Sequence, residues 1–257
     1  MVARSVPAPA ERIWWSFHAP TGDGDRLRLA AAAAAYGAFF PREPLRAHLL
    51  TQVPLSPGSE RTSRRAAAAR DRGGPALSNG DTDDDRHATL AWTSWPDAVG
   101  PARTAFADVV LSVPRVPFAV FAAEDLTFRL AAAIQPWHGR VHTTASARAV
   151  RGQCVENPAS VRLAAPFGLP HLYYDPARRH PLVPLEVTWI NVWSADTCEV
   201  LGFRPADERL FSAVRSTSDG ARVLSLATLP LDPATEPEHV RALRAVYERF
   251  PRIGSRD

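Results

Sequence analysis

Three residues close together could act on a ligand: Asn191, Trp193 and Ser194, at the end of the apolar run Leu185 to Ser194. A serine at that place becomes a nucleophile only if a histidine takes its proton and an acid orients the histidine. His18, His138, His142, His171, His180 and His239 are all available, and nothing in their spacing selects one. The other use of Ser194 is structural. It is a good N-cap for a helix over 195–201, closed by Gly202, and the start of that helix could meet an anionic group.

The second candidate is acidic. Asn79, Gly80 and Asp81 lead into Asp83, Asp84 and Asp85. Aspartates at 81, 83 and 85 have the alternation of a calcium loop, but Arg86 stands where that loop needs glycine and Trp92 where it needs a bidentate glutamate. The expectation is a solvated turn or an acidic contact patch. His138 and His142 are four apart but span Gly139 at a strand start, so they lack the shared helical face of a zinc pair. Cys154 and Cys198 have no Cys or His neighbour at ligand spacing. Arg178, Arg179 and His180 read as an exposed loop cluster. No metal, cofactor or catalytic set is expected, and a non-enzyme is favoured.

The frame holding these residues follows from composition and periodicity. The chain has 257 residues, 46% of them hydrophobic, enough for a real core. All 30 basic residues are arginine, set against 27 acidic ones for a net charge of +3. No stripe of arginines interleaved with aromatics appears, so nucleic acid is not an expected partner. The run over 29–40 is too short for a bilayer core that needs about 20 residues, and the first ten residues are not a secretory signal. No membrane partner and a cytoplasmic location are the expectations.

Strands are expected over 12–18, 87–95, 106–113, 139–144 and 185–194. Helices are expected over 27–35, 123–135, 145–156 and 195–201, with a short helical piece over 207–214. Asp23 or Asp25 would cap the first helix, whose alanine run lets it approach a sheet. Pro41 to Ala76 reads as a long surface insertion, irregular through Pro57, and 157–184 as an ordered crossing loop. Ser218, Asp219 and Gly220 form a hairpin turn between 214–217 and 221–227. In the last helix, Thr235 and Glu238 make a capping box, and Val240, Leu243, Val246, Tyr247 and Phe250 share one apolar face.

An internal echo organises these elements. Val110 to Phe118 aligns without gaps to Val223 to Leu231, and each stretch is followed by an amphipathic helix. The order strand, helix, two strands, helix occurs over 12–137 and again over 185–250. The reading is an α+β fold of two similar β-α-β-β-α units, with a largely antiparallel sheet and helices packed on one side. The chain is expected to form one compact unit over 1–257, with halves 12–140 and 185–254 joined by 141–184. A groove at the join would then be a natural ligand site.

Residues Trp189 to Ala195, then Leu201 to Phe203, Pro230 to Asp232 and Tyr247 to Gly254 together resemble the C-terminal signature of a bacterial family, domain of unknown function 5953. Asn79 to Asp81 matches that family's pattern in the first half. The Trp-bearing strand, hairpin and terminal helix are also more distantly similar to the immunity protein 52 family, whose members are thought to neutralise toxins. The long insertion departs from both. The resemblance implies a non-catalytic binding protein with a cognate protein toxin as partner. The residues themselves offer Asn79, Asp81, Asp83, Asp84, Asp85, Asn191, Trp193 and Ser194 as possible contacts with a partner or ligand. The alternative is a small-molecule-binding protein or enzyme using the groove between the halves.

Overall fold

Ile13, Trp15, Phe17 and Ala19 alternate with Arg12, Trp14, Ser16 and His18, a period of two that suits a pleated strand with one apolar face. In the computed structural model, which describes residues 11–48, 76–78, 88–95, 105–155, 166–173, 180–232 and 236–254, that stretch is β1 (Arg12–Pro20). The Gly22–Gly24 turn leads into α1 (Asp25–Phe39). Neither expected aspartate caps it. Gly24 holds the N-cap position without a side-chain bond, and Asp25 sits in the first turn, 2.5 Å from Arg28. The buried residues Leu29, Ala32 and Tyr36 recur at helical spacing, and the alanine-rich face packs on another helix, α2 (Pro117–Ile134).

The strands β2 (Arg46–His48), β3 (Ala76–Ser78), β4 (Thr89–Trp95) and β5 (Phe106–Pro114) precede α2. β2 lies inside the stretch expected to be irregular, and residues 49–75 of the expected insertion lie outside the described residues. After α2 come β6 (His138–Thr143), α3 (Thr144–Gln153), β7 (Cys154–Val155) and β8 (Leu172–Tyr173). β9 (Ile190–Trp193), α4 (Ala195–Leu201), β10 (Ala213–Ser216), β11 (Arg222–Ser225) and α5 (Pro237–Arg249) complete the chain. A 3-10 turn over Pro205–Leu210 replaces the expected helical piece, and β10 takes over its last two positions. Thr235 of the expected capping box lies outside the described residues.

Among the described residues, nine strands form one sheet in the order β10-β11-β9-β6-β1-β5-β4-β3-β2, and every pairing in it is antiparallel. β7 and β8 pair separately and in parallel. The α+β class therefore holds. Outward from β6, one side runs β1, β5, β4 and the other β9, β11, β10, so the two units have the same topology. Val110 and Val223 occupy the corresponding strands β5 and β11.

One part of the expected architecture is corrected. Helices share a side within each half, but the halves use opposite faces of the sheet. Trp15 pairs with Val141, and Val141 with Ile190, so all three point to one face. That face carries α2, where Thr127 Oγ1 accepts the Trp15 indole N–H at 2.8 Å. Trp193, three residues beyond Ile190, must point the other way. There it meets Phe250, at the end of α5, at 5.3 Å between rings. The reason is directional: β1 and β9 are both antiparallel to β6 and hence parallel to each other. A twofold relating them must run along β6 and exchange the faces.

Candidate functional site

Asn191 and Trp193 are buried among the protein's own groups. Asn191 is 1% exposed; its Oδ1 accepts the Thr188 backbone N–H at 2.9 Å and its Nδ2 donates to the Thr188 carbonyl at 2.9 Å. These two bonds satisfy both backbone groups of the bend that feeds β9. Asn191→Ala removes them and strands Thr188 in the interior. The expected cost is on the order of 2–4 kcal/mol, read as a lower urea midpoint at unchanged slope. Trp193 is fully buried and edge-on to Phe203, Phe211 and Phe250. Neither offers surface to a partner in this arrangement.

Ser194 performs its structural role. Its Oγ accepts the Thr197 N–H at 3.1 Å, capping α4, and its own N–H donates to the Trp137 carbonyl at 2.8 Å. The αL cap expected at Gly202 is also present, with φ of 67°.

The histidines scatter, with one pairing the sequence alone did not reveal. A cross-strand row runs Thr93, Asp108, His18, His138, Trp193 across β4, β5, β1, β6 and β9. His18 Nδ1 lies 2.7 Å from Asp108 Oδ1, and its ring stacks on His138 at 5.1 Å and lies 4.3 Å from Phe106. Asp108 sits in a strand full of valine, and only the register with β1 brings it to His18. Ser194 follows Trp193 but lies two strands from His18, with its Oγ engaged to Thr197, so Ser194, His18 and Asp108 do not assemble a serine–histidine–acid relay. Elsewhere the Leu182 and Asp232 backbone N–H groups donate to His180 Nδ1 and His239 Nδ1. Burial, with Arg252 nearby, lowers the His180 pKa.

His142 is buried beside Arg140. Burial, then the Arg140 charge, pushes its pKa down to about 3, so it is neutral at pH 7. The Cys198 thiol is pushed up to about 11 by burial despite Arg222, which removes it as a thiolate nucleophile. Among the described residues no group of three or more His, Cys, Asp or Glu is placed to hold a metal ion. No helix among them is long and apolar enough to cross a membrane.

Asn79, Asp81, Asp83, Asp84 and Asp85 lie outside the described residues, but the ends of their connection are fixed. Ser78 and Thr89 pair across β3 and β4, and Ser78 Oγ donates to the Ala88 carbonyl at 3.1 Å. Thr89 pairs with Ser112, and Ser112 with Trp14. Ser78 and Thr89, which flank that stretch in sequence, therefore lie toward the end of the sheet where β1 begins, opposite the end that holds Trp193. β5 also finishes there, and α2 starts there. Phe118 and Phe121, one helical turn apart at the start of α2, are 54% and 80% exposed, with Val116 exposed beside them. Phe118 rests edge-on against Phe40 at 5.5 Å, which holds one side of the ridge.

A family model, domain of unknown function (DUF5953), matches residues 28–257, a span that includes every motif on which the resemblance was drawn. No curated protein matches the chain. Among solved structures it is similar to a Pseudomonas aeruginosa T6SS protein, at 11% identity and a TM-score of 0.53, over 93% of this chain and 73% of that one. At that identity the likeness shows the fold alone.

Proposed function

The chain belongs to the family of domain of unknown function 5953, and on that footing we propose that it is a non-catalytic binding protein that neutralises a protein toxin by covering it. The observation that carries this reading is the exposed ridge of Phe118 and Phe121. Two large aromatics in water at one end of a folded sheet are the kind of anchor a protein partner desolvates. Asp81, Asp83, Asp84 and Asp85 lie in sequence between Ser78 and Thr89, which pair at that end of the sheet, and their negative charge would suit a basic partner surface. A T6SS protein with the same fold supports a setting in which protein partners are expected.

Co-expression with a toxin encoded beside it should protect the host cell, and the two proteins should co-purify as one complex. Protection without complex formation would contradict the reading. Neutralising these aspartates as Asp81→Asn, Asp83→Asn, Asp84→Asn and Asp85→Asn should slow association roughly 10-fold or more at low salt and flatten its salt dependence. Stopped-flow mixing at two ionic strengths reads this out. Unchanged association rates would remove the aspartates from the interface.

A second reading, a small-molecule site, has one observation in its favour: the β1–β6 face opposite α2 is polar and yet buried.

A further inference from the structure

We infer that a second copy of this chain adds its own β10 to the β10 edge, joining the two sheets into one across a twofold axis. This goes beyond the toxin reading and does not depend on it. Among the described residues β10 ends the sheet. Thr217, just past β10, donates its N–H to the Ala221 carbonyl at 2.9 Å, and the same register continues as Arg215 with Val223 and Ala213 with Ser225. Bonded and unbonded pairs alternate along an antiparallel ladder, so Val214 and Ser216 turn their N–H and C=O groups away from β11, toward the open edge.

The first half shows what such an edge takes. β4 stands third outward from β6 on one side, as β10 does on the other, and β3 pairs with it antiparallel as Ala76 with Ala91, Leu77 with Leu90 and Ser78 with Thr89. β3 is Ala-Leu-Ser, small at both ends and aliphatic in the middle. β10 is Ala-Val-Arg-Ser, the same make-up with one arginine added. Among the described residues the second half has no strand of its own in the place of β3.

Edges are kept from pairing by shortness, by proline, or by a charge held over the edge. The three residues of β3 pair nonetheless, so the four of β10 are long enough. β10 has no proline, and its one charge is turned aside. The Arg215 guanidinium lies 4.2 Å from the Phe128 ring and pairs with Asp125 and Glu124, all on α2. Pairing with a second copy also has a register that opposes no like charges. With Val214 opposite Val214 of the second copy, each donates its N–H to the other's carbonyl, and Arg215 stands beside Ala213 of the second copy.

The test is sedimentation equilibrium of the full chain over roughly 1–300 µM, with amide exchange followed at the same concentrations. So short a seam belongs with the weak interfaces, and wild type should dimerise with a Kd of roughly 10–100 µM. Val214→Pro removes an N–H that β11 does not use, so it should stay folded while raising that Kd about 10-fold or more through the lost reciprocal hydrogen bonds. In wild type, exchange at the Val214 amide should slow as concentration rises, while the Arg215 amide, bonded within the sheet, stays protected throughout. A chain that is monomeric across the whole range, a dimer of equal strength in Val214→Pro, or Val214 exchange that ignores concentration would each overturn the assignment.

Discussion

Trp193→Ala lowers stability by roughly 3–5 kcal/mol, the range for deleting a large aromatic from a packed core. Its ring is fully buried, and Phe203, Phe211 and Phe250 meet it at 5.7, 5.8 and 5.3 Å with interplanar angles of 86°, 89° and 83°. Such edge-on pairs add to the area each ring buries. The three phenylalanines come from the stretch after α4, the turn before β10 and the end of α5, so this one side chain joins the parts of the second half. Alanine leaves a cavity that they cannot close without moving β9. Total stability for a domain is about 5–15 kcal/mol, so the variant should be partly unfolded at temperatures the wild type tolerates. Trp193→Phe retains much of the contact and should cost less than half as much. Urea denaturation of the three proteins decides the matter, and a loss below about 1 kcal/mol for Trp193→Ala would refute the packing assignment.

His142→Phe changes how stability depends on pH. Unfolded, the imidazole takes up a proton below its ordinary 6.5; folded, it does so only below about 3. Between those values the unfolded chain binds one more proton, so the histidine's contribution to stability is intact above pH 6.5 and declines as pH falls toward 3. The slope approaches about 1.4 kcal/mol per pH unit, or roughly 2 kcal/mol between pH 6.5 and 5. Asp207 does not confuse this window. Burial raises its pKa, but the Arg249 hydrogen bond and the Arg204 N–H outweigh that and hold it below the usual carboxylate range, so its contribution falls away only at lower pH. Phenylalanine, which takes up no proton, should flatten the curve by one proton across pH 5–6.5. Parallel wild-type and variant curves in that range would show that His142 protonates in the folded state.

Much of this fold was readable from residue order. Alternation in β1, the Asp219–Gly220 turn and the apolar stripe of α5 are local signals, and each lies in the element it indicated. The likeness of Val110 to Phe118 and Val223 to Leu231 survived because it falls on strands with equal places in the sheet. What escaped depends on register and direction. Nothing in the valine-rich run around Asp108 says which histidine stands opposite, and nothing in helix periodicity says which face of a sheet a helix covers. β2 escaped because three residues, Arg46–His48, carry too little pattern to stand out from a proline-rich stretch. For the candidate contacts, Trp193 stood out as a possible ligand contact, yet its place on the core-facing side of β9 and the bond from Asn191 to Thr188 depend on packing and a bend that have no sequence signature. Phe118 and Phe121 went unremarked because a helix start rich in aromatics looks like core until the neighbouring strands are placed.

A protein partner that docks on the end of the sheet carrying Phe121 must lose affinity when that side chain is removed. The most direct test is titration calorimetry of wild type and Phe121→Asp against the proposed partner, the product of any toxin gene found beside this one. Because Phe121 is 80% exposed, the substitution should leave the melting temperature nearly unchanged while weakening binding about 30-fold or more, the loss of a buried anchor of about 2 kcal/mol. An unchanged affinity at unchanged stability would contradict the claim.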